Sequence, residues 1–137
     1  MGILFEKDCD AKQLSPLSLA FIGDTVFDLF VREMLLCEAN RPVKKLHNCA
    51  SKLVNAKTQA KIAEALTEHF TEPEADVFKR GRNAHTNHIA KNASNRDYHF
   101  ATGLEAVFGF VYLNGDTERL RELFALAMDS LETPEVP

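Results

Sequence analysis

Two short strings place an acid next to a glycine inside an otherwise oily run: 17-LSLAFIGDTVFDLF-30 and 103-GLEAVFGFVYL-113. Asp24 follows Gly23 directly, and Glu105 stands one helical turn before Gly109. An unpaired carboxylate in apolar surroundings is costly, so each needs a partner, a metal or water. Small residues let helix backbones approach closely, so helices crossing at Gly23 and Gly109 would bring the two carboxylates to one place. Convergent oxygen ligands with room for water suit Mg²⁺, which keeps several waters and takes further ligands from substrate phosphate. The competing reading is simple solvation: Asp28 and Arg32, one and two turns on, would put Asp24 on a polar stripe of its own helix.

A second set of residues suits a polyanion. The net charge is −4, yet residues 39–63 hold Arg41, Lys44, Lys45, Lys52, Lys57 and Lys61 with no acid, and residues 77–99 hold Lys79, Arg80, Arg82, Lys91 and Arg96 against Asp97 alone. Such segregation places a basic surface on an acidic body. Lys57 and Lys61 share a helical face, and 79-KRGRNAHTNH-88 offers three cations, Asn83 and Asn87 to phosphate and sugar oxygens from a flexible loop. Any single Lys is more often just a solvated side chain. His85, His88 and His99 have no serine or cysteine nearby to activate, which argues against a catalytic histidine.

The elements that must position these groups read as helices throughout. Ser15-Pro16 opens a long first helix to about Leu36, apolar on nearly all sides, as befits the centre of a bundle or an oligomer interface. Val43 to Phe70 reads as two helices or one bent helix, and Thr71-Glu72-Pro73-Glu74 is a capping box for the next, running to about Lys79 to Asn83. The string 83-NAHTNHIAKNASN-95 lacks periodicity and reads as a loop; Ser94 and Asp97 cap the helix carrying Glu105, and Asp116 caps a last helix to Leu131. No alternating strand pattern occurs, so the expectation is an all-α domain over residues 1–137 with its core at about 14–131.

Three scattered cysteines without a C-x-x-C pair suit free thiols in a reducing cytosol, and neither a secretory signal nor a membrane-length apolar run is present. The expected location is cytoplasmic, away from membrane.

The string 17-LSLAFIGDTVFDLF-30 resembles the signature helix of the ribonuclease III family, and 105-EAVFGFVYL-113 resembles that family's second metal helix. The intervening 53-LVNAKTQAKIAEAL-66 fits as well. The resemblance implies the helical catalytic-domain fold of that family, here without the double-stranded RNA-binding domain of ordinary members, as a homodimer. It implies Mg²⁺-dependent cleavage of double-stranded RNA, with Mn²⁺ as a substitute, leaving 5′-phosphate and 3′-hydroxyl ends. It further implies maturation of the ends of large-subunit (23S-type) ribosomal RNA precursor, with a ribosomal protein on the substrate as a further partner. Asp24 and Glu105 carry over as catalytic metal ligands; Lys57, Lys61, Lys79, Arg80, Arg82, Asn83 and Lys91 would meet RNA. Ordinary members carry acids where this chain has Leu17, Thr102 and, in a less certain alignment, Val43. Fewer carboxylates imply weaker or more substrate-dependent ion binding. The rival functions are a catalytically inactive helical RNA-binding factor of ribosome assembly, a helical nucleotide pyrophosphohydrolase, whose E-x-x-E pattern both apolar helices lack, and a dimerising scaffold.

Overall fold

The computed structural model describes residues 2–84 and 95–132. Six α-helices follow a short 3₁₀ turn at Ala11–Gln13: α1 (Pro16–Glu38), α2 (Val43–Val54), α3 (Ala56–Leu66), α4 (Glu72–Arg82), α5 (Asn95–Leu113) and α6 (Thr117–Glu132). No strand occurs among the described residues. The all-α expectation holds.

The helix boundaries follow from local chemistry. Ser15 Oγ accepts the Ser18 amide at 3.2 Å with Pro16 in the first turn, which starts α1. Asn55 alone separates α2 from α3: its Oδ1 caps the Thr58 amide at 2.9 Å while its Nδ2 donates to the carbonyls of Ser51 and Lys52. One side chain therefore ends one helix and begins the next, and the stretch is two helices. Both halves of the Thr71 and Glu74 capping box are formed at α4. Gly115, at φ 73°, makes the turn after α5, and Asp116 Oδ1 accepts the Arg119 amide at 3.1 Å to start α6. Ser94 lies outside the described residues.

The helix at the centre is α5, which packs against α1, α3, α4 and α6. Every residue from 101 to 111 is buried except Glu105, which is partly buried. Phe27 and Phe108 meet edge to face at 5.4 Å within a core that includes Leu19, Val31, Ile62, Leu66, Leu104 and Leu123. By contrast α1 lies at the edge, with Leu17, Phe21, Leu29 and Leu36 exposed. Of the two places expected for so oily a helix, the centre of the bundle is taken by α5.

A second tie joins α4 to α6. Glu74, 4% exposed, receives Arg119 in two-pronged fashion, Nε to Oε2 at 2.9 Å and Nη2 to Oε1 at 2.8 Å. Arg119 also donates to the His69 carbonyl and to Glu122. Burial pushes the Glu74 carboxyl upward, but the hydrogen bonds from Arg119 and Thr71 outweigh it and hold the group below the ordinary glutamate range. No described helix is long and apolar enough to cross a membrane.

Candidate active site

The site starts from two missing side chains. A Cβ built on Gly23 would sit 1.7 Å from the Glu105 carbonyl oxygen, and one on Gly109 would sit 2.0 Å from the Leu19 carbonyl oxygen. Backbone therefore rests on backbone where α1 crosses α5, as the two glycines led one to expect. Asp24, next to Gly23, is brought against Glu105 across this crossing, so the two carboxyl groups lie close together.

The pair is not symmetric. Asp24 is exposed, with Asp28 and Arg32 continuing the polar edge of α1 in a 3.0 Å ion pair. Asp24 therefore borders a solvated stripe and also lies beside the buried helix. Glu105 is the more enclosed partner, and its carboxyl is pushed up to about 9, first by burial, then by the hydrogen bond to Asp24 and by the Asp24 charge. At neutral pH Glu105 therefore keeps its proton beside Asp24. A divalent cation can replace that proton and let both groups ionise, so this donor set fits Mg²⁺. Among the described residues no group of three or more His, Cys, Asp or Glu side chains converges.

The departures from the family pattern have structural counterparts. Thr102 is 6% exposed, and its hydroxyl donates to the Tyr98 carbonyl at 2.9 Å. Leu17 and Val43 are exposed apolar side chains.

The cations divide by position. Lys57 and Lys61 are both exposed on α3. Lys79, Arg80 and Asn83 are exposed at the end of α4, where cations also complement the helix dipole; Arg80 additionally pairs with Asp76 at 3.4 Å. Arg82 is half-buried, its guanidinium 5.9 Å from the ring centroids of Phe78 and Phe100. Lys91, His85 and His88 lie outside the described residues. The string 79-KRGR-82 is thus the last turn of α4 and not a flexible loop. Gly81 is there for close packing: a Cβ on it would lie 3.0 Å from Ala106 Cβ and from Gly103 Cα. The guanidinium of Arg96 lies 4.3 Å from the ring centroid of Phe100 and pairs with Glu64, thirty-two residues away. No local pattern announces a partner so distant in the chain.

Comparison with known proteins decides the family. Residues 17–116 match the ribonuclease III domain model. The chain belongs to the ribonuclease III family. It is 40% identical over 136 residues to the Mini-ribonuclease 3 of Thermoanaerobacter sp. (strain X514), covering 96% of each chain. It is also 42% identical over 120 residues to the Mini-ribonuclease 3 of Staphylococcus aureus, covering 86% of this chain and 90% of that one. A crystal structure of a Fusobacterium nucleatum protein superposes with a TM-score of 0.80 at 28% identity, over 88% of this chain and 92% of that one. Within the ribonuclease III family the chain groups with the Mini-ribonuclease 3 proteins, and it is an endoribonuclease of that family.

Proposed function

We propose that this family member is an Mg²⁺-dependent enzyme that cuts double-stranded RNA, acts on the ends of large-subunit (23S-type) ribosomal RNA precursor, and works as a cytoplasmic homodimer. The observation that carries the reading is the meeting of Asp24 and Glu105 at a crossing of two glycines. When bound there, Mg²⁺, or Mn²⁺ in its place, supplies Lewis-acid stabilisation of charge on a phosphodiester and lowers the pKa of water.

The chain's own groups do the rest. Asp24, at the open edge, and Glu105, on the enclosed helix, would be the residues that hold the cation, Glu105 giving up its proton on binding. The backbone seat at Gly23 and Gly109 fixes the two acids relative to each other before substrate arrives. Lys57, Lys61, Lys79, Arg80, Arg82, Asn83 and Lys91 meet phosphate and sugar oxygens. Because the A-form major groove is closed to side chains, a duplex would be chosen by shape and minor-groove contacts. The products would carry 5′-phosphate and 3′-hydroxyl ends, and a ribosomal protein on the precursor would help present the cut site.

Support for the homodimer comes from α1. Leu17, Phe21, Leu29 and Leu36 recur on one exposed face, and Phe21 is 83% exposed. A cavity of about 130 Å³ lined by Leu35, Leu36, Val43 and Leu46 opens near the other end of the helix. In an antiparallel pairing of two α1 helices centred near Leu29, each Phe21 would meet the cavity of the other copy, a self-complementary contact of the two-fold kind.

The deciding experiment is incubation of the protein with precursor ribosomal RNA, with and without Mg²⁺, followed by mapping of the product ends. Paired cuts within duplex, dependent on Mg²⁺ and bearing 5′-phosphates, are expected. RNA recovered intact under every condition, with duplex binding retained, would instead favour the inactive assembly factor.

A further inference from the structure

The large apolar side chains left exposed among the described residues gather within residues 3–43: Ile3, Leu4 and Phe5 ahead of the 3₁₀ turn, one face of α1, and Val43 at the start of α2. Leu4 is 83% exposed and Phe5 69%. Three adjacent groups of this kind gain by leaving water, and the single chain leaves them uncovered.

The root of this arm is fixed. Ala11 is buried in the core, and Lys12 lines a cavity with Phe110 and Asn114 near the end of α5. Gly23 rests on Glu105 and Gly109 on Leu19, so α1 and α5 run antiparallel and the root stands at the beginning of α1. Val43 is at the other end, sharing a cavity with Leu35 and Leu36. The 23 residues of α1 span about 34 Å, whereas the chain from Ala11 to Phe5 reaches at most about 22 Å when fully extended. Phe5 therefore falls short of Val43 in its own chain. In an antiparallel pairing of two α1 helices the relation reverses, because the beginning of one helix lies beside the end of the other. Each arm then starts next to the partner's Val43.

Charge agrees with reach. Residues 3–10 hold Glu6, Asp8 and Asp10 against Lys7 alone, while Val43 stands among Arg41, Lys44 and Lys45. An apolar tip backed by acids complements an apolar residue set among bases.

We propose that residues 3–10 form an arm exchanged between two copies of this chain, with Leu4 and Phe5 packed on the partner's Val43 and the acidic stretch behind them facing the partner's Lys44 and Lys45. This rests on the homodimer reading and adds to it a contact outside the α1 face and its cavity.

Sedimentation equilibrium of the full chain gives the dimer dissociation constant for wild type and for the double variant Leu4→Ser, Phe5→Ser. Both side chains are exposed in the single chain, so the variant should keep its helical circular dichroism. Each change acts twice at a two-fold interface, and the dissociation constant should rise at least about tenfold. Exchange is tested by mixing two differently tagged chains, one with Lys7→Cys and one with Asn40→Cys, each also carrying Cys9→Ser and Cys37→Ser. A flexible bismaleimide should join the two tags in one product. An unchanged dissociation constant overturns the proposal, as does a chain bearing both new cysteines that cross-links within itself as a monomer. A Leu4→Ser, Phe5→Ser protein that dimerises like wild type but binds duplex RNA more weakly would assign the arm to RNA and also overturn it. If wild type stays monomeric at every concentration, the homodimer reading falls as well; if it dimerises and only the arm tests fail, that reading stands.

Discussion

Among the described residues two glutamates reach the interior, Glu74 and Glu105, and they are treated in opposite ways. Glu74 meets a guanidinium that satisfies both carboxylate oxygens and is itself tied to the His69 carbonyl and Glu122. Glu105 meets another acid, and burial raises its carboxyl to about 9 where Arg119 and Thr71 draw that of Glu74 down. The first arrangement fastens α4 to α6. The second leaves two acids side by side with no cation of the protein's own described between them, the arrangement on which the proposed metal site rests.

The comparison can be broken at either end. The largest effect is expected from Asp24→Asn, which removes a proposed metal ligand and should lower RNA cleavage by at least about 10²–10³-fold in a gel assay with Mg²⁺. The same change relieves the crowding of two acids, so in chelator it should raise stability by about 1 kcal/mol, a rise of roughly 3–5 °C in a calorimetric scan. A fall in melting temperature would show that the pair is structural. Arg119→Ala has the opposite character: it strands a buried carboxylate and should cost about 3–5 kcal/mol in denaturant unfolding, while cleavage per folded molecule stays within about twofold because nothing at the α1–α5 crossing has changed.

Acidity sharpens the contrast without any mutation. For Glu105 the folded-state value exceeds the unfolded one near 4.5, so its contribution is fully present below about pH 4.5 and is lost as pH rises through about 9. For Glu74 the folded-state value is depressed, so its contribution is present above the unfolded value and is lost as pH falls through the folded one. In metal-free protein, Glu105→Gln should flatten the decline of stability between about pH 4.5 and 9, leaving the acid limb as it was; an unchanged alkaline limb would refute the assignment. The smallest effect is expected from Asp116→Ala, which removes the cap of the helix bearing Arg119. It should cost about 1 kcal/mol with no change in cleavage.

Much of this was legible from residue order alone. Gly23 beside Asp24 and Gly109 one turn past Glu105 foretold both the crossing and the meeting of the acids, because only a missing Cβ permits backbone contact. Ser15-Pro16, the Thr71 capping box and Asp116 marked helix starts because capping is a local act. What stayed hidden is non-local. Periodicity could not say which of two oily helices sits at the centre: α5 does, while Phe21 and Leu29 of α1 face outward. Glu74 declared its cap but not its tie to Arg119, forty-five residues away, and Gly81 resembled loop chemistry because its packing partners are on another helix.

The seat between α1 and α5 also limits how this enzyme can change. Shifting one helix's register by a single residue, about 1.5 Å along its axis with a turn of about 100°, would drive the Cβ of Ile22 or Asp24 into the carbonyl now covered by Gly23. The crossing is in effect a detent with one notch. Descendants of this sequence can lengthen, shorten or neutralise the acids that hang from it, but they cannot retune the site by shifting its frame.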